Sequence, residues 1–333
     1  MTKRTFVALF GAALVLTACD GGDGDTDDTD TPTPSCEITV SNAIPSDGET
    51  AFYYRGALSW EFSEVDDSAS VTLADAGGAD VAGSGEWIGD IYIWTPSAPL
   101  APSTSYTATL TTCDGDNSIE TGFTTSAVGA SVNDGDVQDS AYALDLASGN
   151  FVDPPGVGAL LQSQLDVDIL IGVTNAAGAD LQLVGAIGED GANPPAQDLC
   201  TESIDFPAAD FSENPYFEVG PQTTTLDVQG LSVTIDDLFV SGAFSPDGGE
   251  VVGAVLAGSI DTRPLAGLVG DDAPPEAVCD LAVTFGIACQ ACTDGSGDFC
   301  LSLLVTDIAA AEIAGATVVQ RDQATIDADP ACQ

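Results

Sequence analysis

Leu58, Trp60 and Phe62 alternate with Ser59 and Glu61. An apolar side chain at every second residue marks a strand with one buried face. The same period recurs at Tyr106, Ala108 and Leu110, interleaved with Thr107 and Thr109, and Val71 and Leu73 open another run. Ile91 to Trp94 is a dense stretch of β-formers. Pro45-Ser-Asp-Gly48 and Asp114-Gly-Asp-Asn117 are turn clusters that break these runs. Short strands at this spacing predict a β-sandwich over residues 36–126.

A small, polar junction at residues 127–137 separates this pattern from a second one. Tyr142, Leu144 and Leu146 alternate as a strand. Val167–Val173, Leu181–Ile187, Val251–Ile260, Leu301–Val305 and Thr317–Val319 also read as strands, and Leu226–Phe244 reads as strands around Gly230. Pro154-Pro155 opens a stretch in which Val157, Leu160, Leu161 and Leu165 recur at helical spacing, and Pro275–Phe285 reads as a second helix. The expectation for residues 138–333 is an antiparallel, β-rich α+β domain with two or three short helices on one side. The whole chain is mainly β.

The amino terminus carries a third pattern. Phe6 to Leu16 is uncharged and apolar, follows Lys3 and Arg4, and leads into small Thr17 and Ala18. That layout is a secretory signal over residues 1–18, and the run is short for a bilayer. Leu16-Thr-Ala-Cys19 resembles the lipobox of bacterial lipoproteins. The resemblance implies cleavage before Cys19 and acylation of that cysteine. Residues 20–35 hold six aspartates and nothing apolar, so they read as an extended spacer reaching at most about 50 Å.

Within the sandwich, Pro45-Ser-Asp-Gly48, Phe62-Ser-Glu-Val65, Thr95 to Tyr106 and Gly122-Phe-Thr-Thr125 resemble the bacterial Ig-like domain of S-layer and surface proteins. The resemblance implies a spacer or adhesion module. Leu100, Pro102, Thr104 and Tyr106 resemble a tyrosine corner, whose phenol bonds to nearby backbone. The second half resembles a region of predatory and marine bacterial lipoproteins to which no activity attaches.

Charge narrows the function classes. After loss of the signal, three cations (Arg55, Arg263 and Arg321) face 53 acids, a formal charge of −50. Neither lysine nor histidine remains. Imidazole-based nucleophilic catalysis, Schiff-base chemistry and P-loop chemistry lack their residues. Nucleic acid is excluded as a partner, because phosphate binding needs clustered cations. A carboxylate-pair hydrolase would need two facing acids in a cleft. So acidic a surface without lysine reads as adaptation to saline surroundings.

No cofactor is expected. Calcium is the cation alternative, with Asp134, Asp136 and Asp139 at the junction as its candidate ligands, although no complete Asp-rich calcium loop is present.

Nine cysteines minus Cys19 leave eight, an even number in an exported chain, which points to disulfides. Cys36 and Cys113 are alone in the first domain and should pair. The remaining six are Cys200, Cys279, Cys289, Cys292, Cys300 and Cys332. The expected pairs are Cys292–Cys300 across the Asp294–Gly297 turn, Cys279–Cys289 after the helix, and Cys200–Cys332 as the remainder. A Cys₄ zinc site and a redox Cys289-Gln-Ala-Cys292 are the alternatives.

The functional expectation is a non-enzymatic lipoprotein of the cell envelope, facing the periplasm or the exterior. Its Ig-like domain would be a stalk or adhesion module, and its carboxy-terminal domain would recognise a surface protein or glycan. The alternative is a carrier for an apolar, lipid-like ligand in a cavity of the second domain.

Overall fold

A computed structural model describes residues 38–146, 149–154, 168–228, 231–270 and 272–333. The expected signal and spacer, Cys19, Cys36 and the helix expected at Gly156–Leu165 lie outside the described residues.

The first domain is a sandwich of two sheets. One has the order β1 (Val40–Ile44), β3 (Leu58–Phe62), β7 (Ile91–Pro96), β6 (Gly83–Ile88). The other has the order β2 (Glu49–Phe52), β9 (Asn117–Thr125), β8 (Ser105–Thr112), β4 (Ser70–Asp75), β5 (Asp80–Val81). β2 runs parallel to β9 and every other pairing is antiparallel. The alternating residues do what their period demands: Leu58, Trp60 and Phe62 meet Leu73, Tyr106, Ala108, Leu110 and Phe123 in one buried core. The Tyr106 hydroxyl accepts the Ala101 amide proton at 2.9 Å and so ties the β7–β8 connection to β8.

The second domain is a closed antiparallel barrel. Its ring runs β10 (Ala141–Asp145), β12 (Ile169–Ala177), β13 (Asp180–Ile187), β15 (Ala209–Asp210), β16 (Tyr216–Val228), β17 (Leu231–Phe244), β18 (Glu250–Asp261) and β19 (Cys300–Glu312), and returns to β10. Tyr142 opposite Glu312 and Asp145 opposite Ala309 make the closing seam. β14 (Ile204–Asp205) adds to β13, and β11 (Asn150–Asp153) adds to β19 beyond the seam. Closure goes beyond the expected sheet: alternation is the same in an open sheet and a barrel, but closure leaves no bare edge.

Alternation also sorts the two barrel faces. Tyr142, Leu144, Ile171, Val173, Leu181 and Leu183 point inward to a core with Phe211, Phe217 and Phe244. Ala141, Leu170, Val184 and Ala186 point outward, yet they too are buried, beneath Ile313 and Val318. The chain after β19 lies over this outer face.

Thr317–Val319, expected as a strand, is irregular. The reason lies in its hydrogen bonding. The Val319 amide donates to Gln197 Oε1 at 2.8 Å, and Gln197 Nε2 donates to the Val319 carbonyl at 2.8 Å. A side chain satisfies the backbone where a neighbouring strand would. Val318 sits on Gly172, where an added Cβ would come within 2.5 Å of the Val318 Cβ.

Short helices flank the barrel. α1 (Asp134–Val137) precedes β10, α2 (Ala277–Val283) lies between β18 and β19, and α3 (Gln323–Asp327) closes the tail. Among the described residues no helix is long and apolar enough to cross a membrane.

Candidate functional site at the barrel tip

Residues 38–333 form one compact unit, and a packed joint between sandwich and barrel explains it. Tyr53, Tyr54 and Arg55 follow β2 and reach the barrel. The Arg55 guanidinium lies 3.7 Å from the ring centroid of Tyr216, and its Nε donates to the Tyr54 hydroxyl at 3.2 Å. Its other end pairs with Glu213. Tyr53 lies against Gly253, whose φ of +58° and 2.5 Å Cβ clearance to the ring leave room only for glycine.

Val128 and Val132, in the stretch expected to be a polar junction, are buried. Asn214 clasps Val132 on both sides: its Oδ1 accepts the Val132 amide at 2.9 Å and its Nδ2 donates to the carbonyl at 3.0 Å. A shallow cleft of about 200 Å³ beside Arg55 is lined by Tyr54, Ser97 and Pro99. The one cation there is already held by Tyr54, Tyr216 and Glu213.

This joint fixes a direction. β18 carries the chain from Val252 and Gly253 at the joint to Asp261 at the other end of the barrel, roughly 25 Å at strand rise. The opposite end is therefore the tip. It is built from the 3₁₀ turn Arg263–Leu268, α2 and the loop leading into β19.

Covalent and ionic staples hold the tip. Cys279 is joined to Cys289 and Cys292 to Cys300. Fully buried Thr262 donates its hydroxyl proton to the Phe299 carbonyl at 2.6 Å. Arg263 holds Asp261 through two nitrogens, at 2.9 and 2.7 Å, and reaches Asp294 at 2.9 Å. Hydrogen bonds from Ser296, then from Arg263, pull the Asp294 carboxyl down to about 2. Its hydrogen bonds to Asp261 first, then to Asp294, push the Arg263 guanidinium up.

On this rigid base the tip exposes apolar side chains. Leu268, Val269, Leu281, Val283 and Phe285 are all exposed, Phe285 to 71 %. Asp272, Glu276 and Asp280 are exposed along the same segment. The reason is local. α2 buries its small residues Ala277, Cys279 and Ala282, with Cys279 fastened to Cys289, so the larger side chains are left outside. Periodicity identified the helix but missed this surface. A helix whose small residues and cysteine share its buried side was the available signal.

The other candidates are placed as follows. Cys200 and Cys332 are bonded to each other, and this bond fastens the tail to the β13–β14 connection. Cys113 is disulfide-bonded, and its expected partner Cys36 lies outside the described residues. Among the described residues, one group of three candidate metal-ligating side chains converges, Asp261 with Cys292 and Cys300, and those two sulfurs are bonded to each other.

Asp134, Asp136 and Asp139 do not converge. Asp134 accepts the Gly178 amide at 2.8 Å, Asp136 the Asn133 side-chain amide at 2.7 Å and Asp139 that of Gln138 at 2.9 Å. Each carboxylate accepts from a different donor.

Comparison with known proteins agrees with the sandwich. A family model described as a bacterial Ig-like domain matches residues 35–127. No curated protein sequence matches the chain. Among solved structures, CopC from Methylosinus trichosporium is 16% identical, covers 27% of this chain and 93% of its own, and has a TM-score of 0.23. L,D-transpeptidase 1 from Mycobacterium tuberculosis is 12% identical, with coverages of 49% and 80% and a TM-score of 0.23. The cycloalternan-forming enzyme from Listeria monocytogenes is 13% identical, with coverages of 65% and 21% and a TM-score of 0.17. Scores this low bear on neither fold nor activity. The Ig-like domain points to a surface or envelope protein.

Proposed function

We propose that the chain is a non-enzymatic lipoprotein of the cell envelope, anchored through Cys19, in which the Ig-like domain is a stiff stalk and the barrel is the recognition module. The observation that carries this reading is the joint. Arg55 between its tyrosines, Tyr53 on Gly253 and Asn214 on Val132 join the domains by packing as well as by sequence, so the barrel tip is held away from the stalk. Phe211, Phe217 and Phe244, fully buried at the joint end of the barrel, favour recognition at the surface over carriage of an apolar ligand inside. The absence of lysine and histidine from the exported chain agrees with a binding role.

Two measurements on the full chain test it. Metabolic labelling with an acyl analogue should mark the wild type and not Cys19→Ala. Spin labels at exposed Ser84 on the sandwich and Thr284 beside α2 should give one narrow distance distribution. Label on Cys19→Ala refutes the anchor, and a broad distribution refutes the stiff stalk.

A further inference from the structure

From the tip geometry we infer that the surface formed by Leu268, Val269, Leu281, Val283 and Phe285 docks a basic amphipathic polypeptide segment, apolar on one face and rich in Lys or Arg on its margins. The inference rests on the reading of the barrel as the recognition module. Five large apolar side chains are exposed within residues 268–285, on a 3₁₀ turn and a helix that contact each other, and apolar surface this dense is what monomeric proteins keep for contact. They stand on a base fixed by two disulfides and the Arg263 ion pairs, so the surface is formed before any partner arrives.

Charge selects the occupant. Asp272, Glu276 and Asp280 are exposed in the same segment as the apolar residues, while Arg263 is held by Asp261 and Asp294. A second copy would set the same acids against each other across a two-fold contact. An anionic lipid surface would be repelled by them. An amphipathic segment with basic margins satisfies both the apolar centre and the acidic rim, as in helix-in-groove recognition.

The test uses the full chain with its disulfides intact and a synthetic Leu/Lys amphipathic helix as probe. Because the chain is so acidic, a cationic peptide will adhere diffusely, and the site is read from variants. Phe285→Glu and Leu281→Glu should each weaken binding about tenfold or more. Ile88→Glu, at an exposed apolar residue of the sandwich outside the tip, should leave it unchanged. Neutralising the rim with Asp272→Asn, Glu276→Gln and Asp280→Asn should weaken binding and flatten its salt dependence. The far-ultraviolet spectrum and unfolding midpoint of each variant confirm that it is folded.

Equal binding by wild type and tip variants overturns the inference. So does a wild-type chain that floats with lipid vesicles, or dimerises, in a manner abolished by Phe285→Glu while peptide binding is kept. These outcomes leave the acyl-label and distance measurements untouched, so the site can fail without the lipoprotein reading failing.

Discussion

Arg55, Arg263 and Arg321 hold three different seams. Arg55 joins sandwich to barrel, Arg263 joins the end of β18 to the tip loop, and Arg321 holds the tail through the Leu199 carbonyl at 2.8 Å and Asp329 at 2.8 Å. Composition showed that these cations were scarce, but not that each sits where two parts of the fold meet. Charge-assisted hydrogen bonds are the stronger kind, and a planar fork can bridge two acids at once. Two buried phenols show the opposite cases. Tyr142 donates to the Gly248 carbonyl at 2.7 Å, whereas the Tyr53 hydroxyl is buried with no hydrogen-bond partner among the described residues. Tyr142→Phe should therefore cost about 1–2 kcal/mol, because it orphans a buried carbonyl. Tyr53→Phe should be neutral or stabilise by up to about 1 kcal/mol, because it removes a desolvated group that bonds nothing. Urea unfolding of both variants checks the pair, and a loss at Tyr53 equal to that at Tyr142 would contradict the account.

At the level of elements, period-two alternation was enough to find the strands. Leu58–Phe62, Tyr106–Leu110, Leu181–Ile187 and Val251–Ile260 all lie in strands, because a half-buried strand must alternate. Boundaries were less legible. β19 continues to Glu312 because Ala309 to Glu312 pair with β10, a partner more than 150 residues away in sequence. The tail was misread for a related reason: Thr317–Val319 has the composition of a strand but hydrogen-bonds to a glutamine. The turn at Asp294–Gly297 is real, with its Cys292–Cys300 bridge, since a tight turn brings two cysteines eight residues apart into reach. Cys200–Cys332 closes a loop of 132 residues, and a bridge of that span restricts the unfolded chain strongly. Replacing both cysteines by serine should lower stability by about 2–5 kcal/mol. Hydrogen exchange should quicken first at Ala141–Ala143 and Val184–Ala186, which the tail covers, and later in β17. Uniform acceleration across the barrel would mean that the tail is not a separate layer.

For the whole molecule, the sequence disclosed two β domains and a heavy negative charge. It did not disclose that one sheet closes or that the tip is apolar, because both depend on contacts between residues far apart in the chain. The charge itself has a consequence that can be measured. With five cations against 53 acids, folding gathers carboxylates that the unfolded chain spreads out, so self-repulsion opposes the compact state. Screening acts over about 30 Å in 0.01 M salt and only about 3 Å in 1 M. The unfolding midpoint should therefore climb as NaCl rises from about 10 mM, and most of the gain should come by a few hundred millimolar, while the screening length is shrinking through the spacing of surface charges. Salting-out of apolar surface would instead grow with concentration and continue to the highest salt. A comparison of CaCl₂ and MgCl₂ at equal ionic strength separates screening from a calcium site. Screening raises the midpoint equally in both, whereas a site at the joint would raise it in calcium alone by binding only the folded form. Since Asp134, Asp136 and Asp139 do not converge and each accepts from a different donor, the two salts should coincide. A flat or falling midpoint in NaCl would show that the acids lie too far apart to repel, and that the marked acidity is not what limits this fold.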